Sequence, residues 1–243
     1  MVLDDLTTHA KVYREISLLG RRFPGRNSYP GDIFYAHSRL LERAGNFKAA
    51  RGEASITCLP VAEAIHGDLT GYIQTNLMSM TDGHLFFDHG LFIQGRRPAI
   101  DLFLSITRVG RQTQSTLRQE ITQELMAFFI NARRVHAFES FGAELGESVK
   151  EMIKKEERSM QFLDQTAYDT IALSLQVLLF GMVWGEQWRE KTIEEIRLET
   201  QKIVYLYDTR TDIRTKVDQI ISGLPSLGSL TAGIKDVNSL FSS

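Results

Sequence analysis

The stretch that most limits the fold runs from Leu91 to Gly110, LFIQGRRPAIDLFLSITRVG. Ile100, Leu102, Leu104 and Ile106 are apolar at every second position, the period of a strand with one oily face. The alternation ends at Thr107-Arg108-Val109-Gly110, which places a guanidinium at the strand's end. Such a group presents several fixed N–H donors to an anion beyond the sheet edge, although spacing alone favours a solvated arginine at a turn. After Gly110 the period changes: Leu117, Ile121, Leu125, Phe128 and Ala132 recur at helical intervals. Helical patterns continue through 143–163, 170–189, 190–207 and 212–223. The expected organisation is therefore α/β over residues 1–110, an all-α helical bundle over 111–224, and a loosely held Gly/Ser-rich tail over 225–243.

Within the first part, Leu6 to Leu19 reads as a helix stopped by Gly20. A loop with three arginines and two Pro-Gly pairs follows, and Asp32 is placed to cap a second helix, Ile33 to Ala44. Residues 45–54 are polar and read as a loop, Ser55 to Pro60 as a strand, and Gln74 to Ser79 as a turn-rich segment. Thr81-Asp82-Gly83 signals a turn before a short strand, His84 to Phe87. At the start, Val2-Leu3 before Asp4-Asp5 resembles the last fragment of a buried parallel strand ending in an acidic pair. An isolated Asp-Asp also reads as a helix N-cap.

With 28 basic and 30 acidic residues, the net charge of −2 gives no global attraction to nucleic acid. The lone cysteine, Cys58, rules out an internal disulfide framework and reads as a buried structural thiol. The start lacks a signal-peptide pattern, and the oiliest run, Ile171 to Trp184, is too short to span a bilayer. Membrane association is expected only through partners. His84, Asp88 and His89 read as surface residues of a strand and turn. Phe128-Phe129-Ile130 and Leu178-Leu179-Phe180 read as bundle core, and Lys154 to Arg158 as a solvated helical face.

Three stretches, taken in order, resemble the alpha subunits of rotary F-type ATP synthases. They are DDLTTHAKVYREISLLGRRFPGRNSYPGDIFYAHSRLLERAG, ASITCLPVAEAIHGDLTGYIQTNLMSMTDGHLFF and LFIQGRRPAIDLFLSITRVG. Weaker echoes lie in RRVHAFESFGAEL and SMQFLDQTAY, so the set runs collinearly to about residue 180. The YPGDIFYAHSRLLERAG segment favours alpha over beta subunits. The resemblance implies the C-terminal part of a RecA-like P-loop nucleotide-binding domain followed by the helical bundle. It implies that Asp4, at the end of a Walker B strand, and Glu63 help hold Mg²⁺ through water. It places Phe92, Arg97, Pro98 and Gln165 around an adenine pocket for ATP or ADP. Ser79 and Gly83 match the segment facing a neighbouring beta subunit's phosphate region, and Arg108 matches an arginine finger acting in that neighbour's site. The implied partners are beta and gamma subunits in a hetero-hexameric ring, with no nucleic acid. The implied location is peripheral, on the cytoplasmic face of a bacterial plasma membrane or on an organellar inner or thylakoid membrane.

The departures are specific. No GxxxxGK[ST] phosphate loop occurs in the 243 residues, so the Mg–nucleotide site is expected to be incomplete in this chain. Arg111-Gln112-Thr113 replaces small residues after the finger, Gln74 stands where proline is usual, and Ala167 replaces a second pocket glutamine. Two other readings stand beside the first. One is a stand-alone helical interaction module without nucleotide chemistry; the other is a subunit of a related hexameric motor such as an export ATPase, against which the alpha-specific stretches argue.

Overall fold

The computed structural model describes residues 1–50, 52–139 and 146–241. It divides into two compact units, Met1–Asp88 with Asp101–Gly110, and His89–Ile100 with Arg111–Ser243. The division does not fall at Gly110 alone, because the turn-rich 89–100 segment groups with the helices. The first unit is α/β and the second is helical.

The first unit opens with β1 (Val2–Leu3) and α1 (Leu6–Leu19), followed by α2 (Ile33–Leu41), β2 (Gly45–Ala49), β3 (Gly52–Ile56) and β4 (Leu59–Pro60). Next come α3 (Tyr72–Met80) and β5 (Gly83–Phe87); a short helix α4 (His89–Ile93) belongs to the second unit. The strand β6 (Ile100–Thr107) closes the first unit's elements. Among the described residues the strands form three two-stranded sheets, β1–β4, β2–β3 and β5–β6. Leu6 and Ala10 of α1, Ile33 of α2 and Ile73 and Leu77 of α3 form its small core.

Several expectations change here. The polar 45–54 segment is a hairpin, with Phe47 opposite Ala54 and Lys48 opposite Glu53. Its alternation of small or apolar with polar residues is that of a strand, and the abundance of polar residues hid it. Ser55 to Pro60 is not one strand: Thr57 and Cys58 separate β3 from β4, which leaves Cys58 half-buried rather than buried. The Val2-Leu3 strand is parallel to β4, but Val2 is exposed. Gln74 to Ser79 lies in helix α3, because Ile73 and Leu77, four apart, bury one face. Its polar side chains bond locally, Thr75 Oγ1 to the Gly71 carbonyl and Ser79 Oγ to the Asn76 carbonyl. Asp32 makes no side-chain cap to α2; its carboxylate accepts from the Tyr13 hydroxyl at 2.8 Å instead. The expected oily face of β6 is largely open, with Leu104 and Ile106 exposed.

The second unit contains α5 (Thr116–Glu139), α6 (Glu147–Leu163), α7 (Leu173–Trp184), α8 (Ile193–Thr209), α9 (Thr211–Gly223) and α10 (Leu227–Ser239). Part of the expected 143–163 helix, and part of RRVHAFESFGAEL, lies outside the described residues. Helix α7 is apolar on every side and sits centrally, packed by α6, α9 and α10. Leu178, Leu179 and Phe180 are therefore all core, whereas Ile130 on α5 is exposed. Consecutive residues of a helix point about 100° apart, so only a helix surrounded on all sides buries three in a row.

The segment 225–243 does not form a loose tail through 227–239. Ser226 caps α10, and Leu230, Ile234 and Val237 are buried against the bundle. The signal was two glycines, Gly181 on α7 and Gly185 at its C-terminal cap. A Cβ at Gly181 meets Ile234 Cδ1 at 2.8 Å, and one at Gly185 meets Ile234 Cγ2 at 2.6 Å, so these glycines make the seat for α10. The Lys154–Arg158 run is not simply solvated either. Lys155 Nζ lies 4.2 Å from the Trp184 ring centroid, and Glu156 Oε2 lies 2.7 Å from His136 Nε2. No described helix is long and apolar enough to cross a membrane.

Candidate functional site

The residues singled out from the sequence fall into three groups, two in the first unit and one in the second. At the N-terminal end of α1 the acidic pair has divided roles. Asp5 is the N-cap: its carboxylate accepts from the Thr8 amide and hydroxyl, and that backbone bond holds its pKa below the usual aspartate range. Asp4 is exposed and does not cap the helix. Glu63 follows β4, and its amide donates to Thr7 Oγ1 at 2.9 Å. Gln74 Nε2 donates to the Glu63 carbonyl, and Lys11 Nζ lies 3.5 Å from Glu63 Oε2. Sequence reasoning missed Thr7 and Lys11. Their one signal was spacing, since Lys11 lies four residues after Thr7 on one side of α1.

Magnesium is a hard cation that takes oxygen ligands in near-octahedral array. Carboxylates at Asp4 and Glu63 suit it chemically. However, Glu63 is paired with Lys11, and no group of three or more potential metal ligands occurs among the described residues. These side chains by themselves do not make a magnesium site.

The second group gathers where β5 begins, β6 ends and α3 stops. The Arg108 amide donates to the Asp82 carbonyl at 2.7 Å, which ties the end of β6 to the start of β5. Arg108 Nη1 donates to the carbonyls of Met78, Ser79 and Thr81 at 3.3, 3.2 and 3.3 Å. These carbonyls crowd the C-terminal end of α3, where unpaired acceptors and the negative helix pole favour a cation. The side chain is exposed, and Nε and Nη2 donate no hydrogen bond to a described residue. Gly83 is required by close approach, since a Cβ there meets the Ile106 carbonyl oxygen at 2.4 Å and Thr107 Cα at 3.0 Å. Ser79, Gly83 and Arg108 are thus brought together. Gly83→Ala is expected to cost about 1–3 kcal/mol by forcing β5 from β6, read as a lower midpoint in chemical denaturation.

The third group lies in the second unit. The Arg97 guanidinium covers the Phe92 ring at 3.6 Å from its centroid, and Nη1 donates to the Phe92 carbonyl at 2.9 Å. The Arg97–Pro98 peptide is cis. Asp164, which caps the C-terminal end of α6, accepts from the Arg97 amide at 2.9 Å, and the Gln165 amide donates to the Arg97 carbonyl at 2.8 Å. Phe92, Arg97, Pro98 and Gln165 therefore converge, with Asp164 as a fastening residue that sequence reasoning did not name. The exposed Phe92 ring and the guanidinium over it form a flat, cationic surface suited to a planar heteroaromatic ring.

The family model for the ATP synthase alpha/beta family, nucleotide-binding domain, matches residues 1–107. ATP synthase subunit alpha from Neorickettsia sennetsu is 36% identical over 243 residues, 98% of this chain and 47% of the relative. The chain belongs to the ATP synthase alpha/beta family. Within it, the mitochondrial alpha subunit of Neurospora crassa is 39% identical over 220 residues, 90% of this chain and 40% of the relative. The Clostridium botulinum alpha subunit (strain Eklund 17B / Type B) is 38% identical over 209 residues, 86% of this chain and 42% of the relative. The chain spans under half the length of these family members. The Arg108 group begins within the family match and ends one residue past it.

Proposed function

We propose that this chain serves as part of an ATP synthase alpha subunit and presents Arg108 to the catalytic site of an adjacent beta subunit. The observation that carries the reading is the half-used guanidinium. Three backbone carbonyls hold Nη1, while the other two nitrogens of the fork remain to meet an anion. A phosphoryl group in transfer spreads negative charge over its oxygens, and a fixed fork stabilises it without reorganising. Ser79 and Gly83 set the position of the finger, Ser79 through its carbonyl and Gly83 through strand contact. In this role the subunit is non-catalytic, because the reaction takes place in the neighbour.

Phe92, Arg97, Pro98 and Gln165 form the adenine side of the subunit's own ATP or ADP site. Asp4 and Glu63 would help hold Mg²⁺ through water, with the remaining groups supplied from outside these residues. The partners are beta and gamma subunits, and the chain reaches the membrane only through that complex, on the cytoplasmic face in a bacterium. Co-purification with beta and gamma subunits tests this reading, and their absence from the purified material overturns it. The isolated chain is expected to bind MgATP weaker than micromolar; calorimetry finding micromolar affinity would contradict the incomplete site. The second reading, a helical interaction module, draws on the extent of the second unit's core and predicts association without beta subunits.

A further inference from the structure

Helices α1 and α2 meet through two imidazoles. His37 of α2 is fully buried, and its Nε2 lies 3.1 Å from Nδ1 of His9 on α1. The other His37 nitrogen, Nδ1, is buried and makes no hydrogen bond to a described residue. His9 is exposed and stacks loosely on Tyr13, whose hydroxyl donates to Asp32, which Arg22 also approaches at 3.4 Å. Helix α3, which packs on α2, carries no charged side chain, and its one titratable group is Tyr72. On α2 itself, Arg39 lies over Tyr35. His9 is therefore the group whose charge acts on His37.

We propose that His9 and His37 form an acid-sensitive joint between α1 and α2, closed while His37 is neutral and opened when it takes a proton. One ring nitrogen must donate and the other accept for the 3.1 Å contact to be a hydrogen bond. With His9 charged, its Nδ1–H donates to His37 Nε2, and the joint holds. A second proton sets two N–H groups against each other and leaves a buried imidazolium with no partner, which the interior does not tolerate. Burial, and secondarily the charge on His9, lowers the His37 pKa from the usual 6.5 to about 4. A base with a depressed folded pKa gives stability that is full above its unfolded value and lost as pH falls toward the folded one. The window is thus pH 6.5 down to about 4. The joint also reaches the acidic group, because α1 carries both Asp5 and Thr7, and Thr7 holds the Glu63 amide.

The test is NMR titration of the histidine ring signals, with amide hydrogen exchange of the full chain from pH 8 to 4. We expect His37 to titrate well below the usual 6.5, at about 4. Protection of α1 and α2 should fall by roughly 100-fold across the window, while α7 stays unchanged. His9→Gln keeps a polar partner for His37 without a second charge, so His37 should take its proton at a higher pH than in the wild type, with a smaller loss of protection; His37→Gln should remove the step. Titration of His37 at its ordinary value with pH-independent protection overturns the joint, as does a full step in His37→Gln. Zinc ions that raise protection at neutral pH also overturn it, by making the pair metal ligands. If either variant fails to fold, the wild-type titration alone decides.

Discussion

Replacing Arg108 with alanine is expected to slow steady-state ATP hydrolysis by the assembled complex by about 10³–10⁵-fold while leaving nucleotide affinity near the wild-type value. The split follows from where the charge is needed. Ground-state binding draws on contacts all around the nucleotide, whereas a finger adds stabilisation mainly as charge moves onto the transferring oxygens. Arg108→Lys should rescue little. Lysine keeps the charge, but a single ammonium cannot hold three carbonyls at the end of α3 and also present a fork. The alanine variant loses those three bonds as well, so its amide exchange in β5 and β6 should be compared with wild type. Unchanged exchange with lost turnover places the effect in the chemistry. Near-normal turnover removes Arg108 from the mechanism.

The second large effect is in the bundle. Trp188→Ala is expected to destabilise the helical unit by about 3–5 kcal/mol, read as a shift in the urea midpoint. Trp188 is fully buried and its Nε1 donates to Glu199 at 3.0 Å; Glu199 also pairs with Lys191. Alanine opens a cavity beside α7 and strips one donor from a half-buried carboxylate. Trp188→Phe retains most of the volume but not the donor, and should cost about 1–3 kcal/mol. A loss below about 1 kcal/mol in the alanine variant would mean the unit repacks around the cavity.

How much of this was legible varies with the kind of signal. Helix α1 was readable to its ends, because its apolar spacing, Gly20 and Asp5 agree. Helix α3 was not, since Gln, Thr, Asn and Ser obscure two apolar residues whose burial depends on distant partners. The hairpin β2–β3 was missed for a similar reason: its strands pair with each other while exposed, so no oily run marks them. Helix α10 was misjudged because Gly and Ser read as looseness, whereas Gly181 of α7 and Gly185 at its cap provide its seat. Of the site residues, motif resemblance named Ser79, Gly83 and Arg108, and Phe92, Arg97, Pro98 and Gln165. It did not name what holds them, namely the carbonyls at the end of α3 and the Asp164 carboxylate. Backbone acceptors have no sequence signature, and a capping aspartate is recognised only once its helix end is known.

The role proposed for Arg108 is to act on a neighbour's phosphoryl group during transfer. The most direct measurement is trapping of MgADP–fluoroaluminate, a transition-state mimic, by the assembled complex with and without Arg108. The wild-type complex is expected to trap the mimic tightly and Arg108→Ala to lose it, with MgADP affinity unchanged. Equal trapping by both complexes would contradict it.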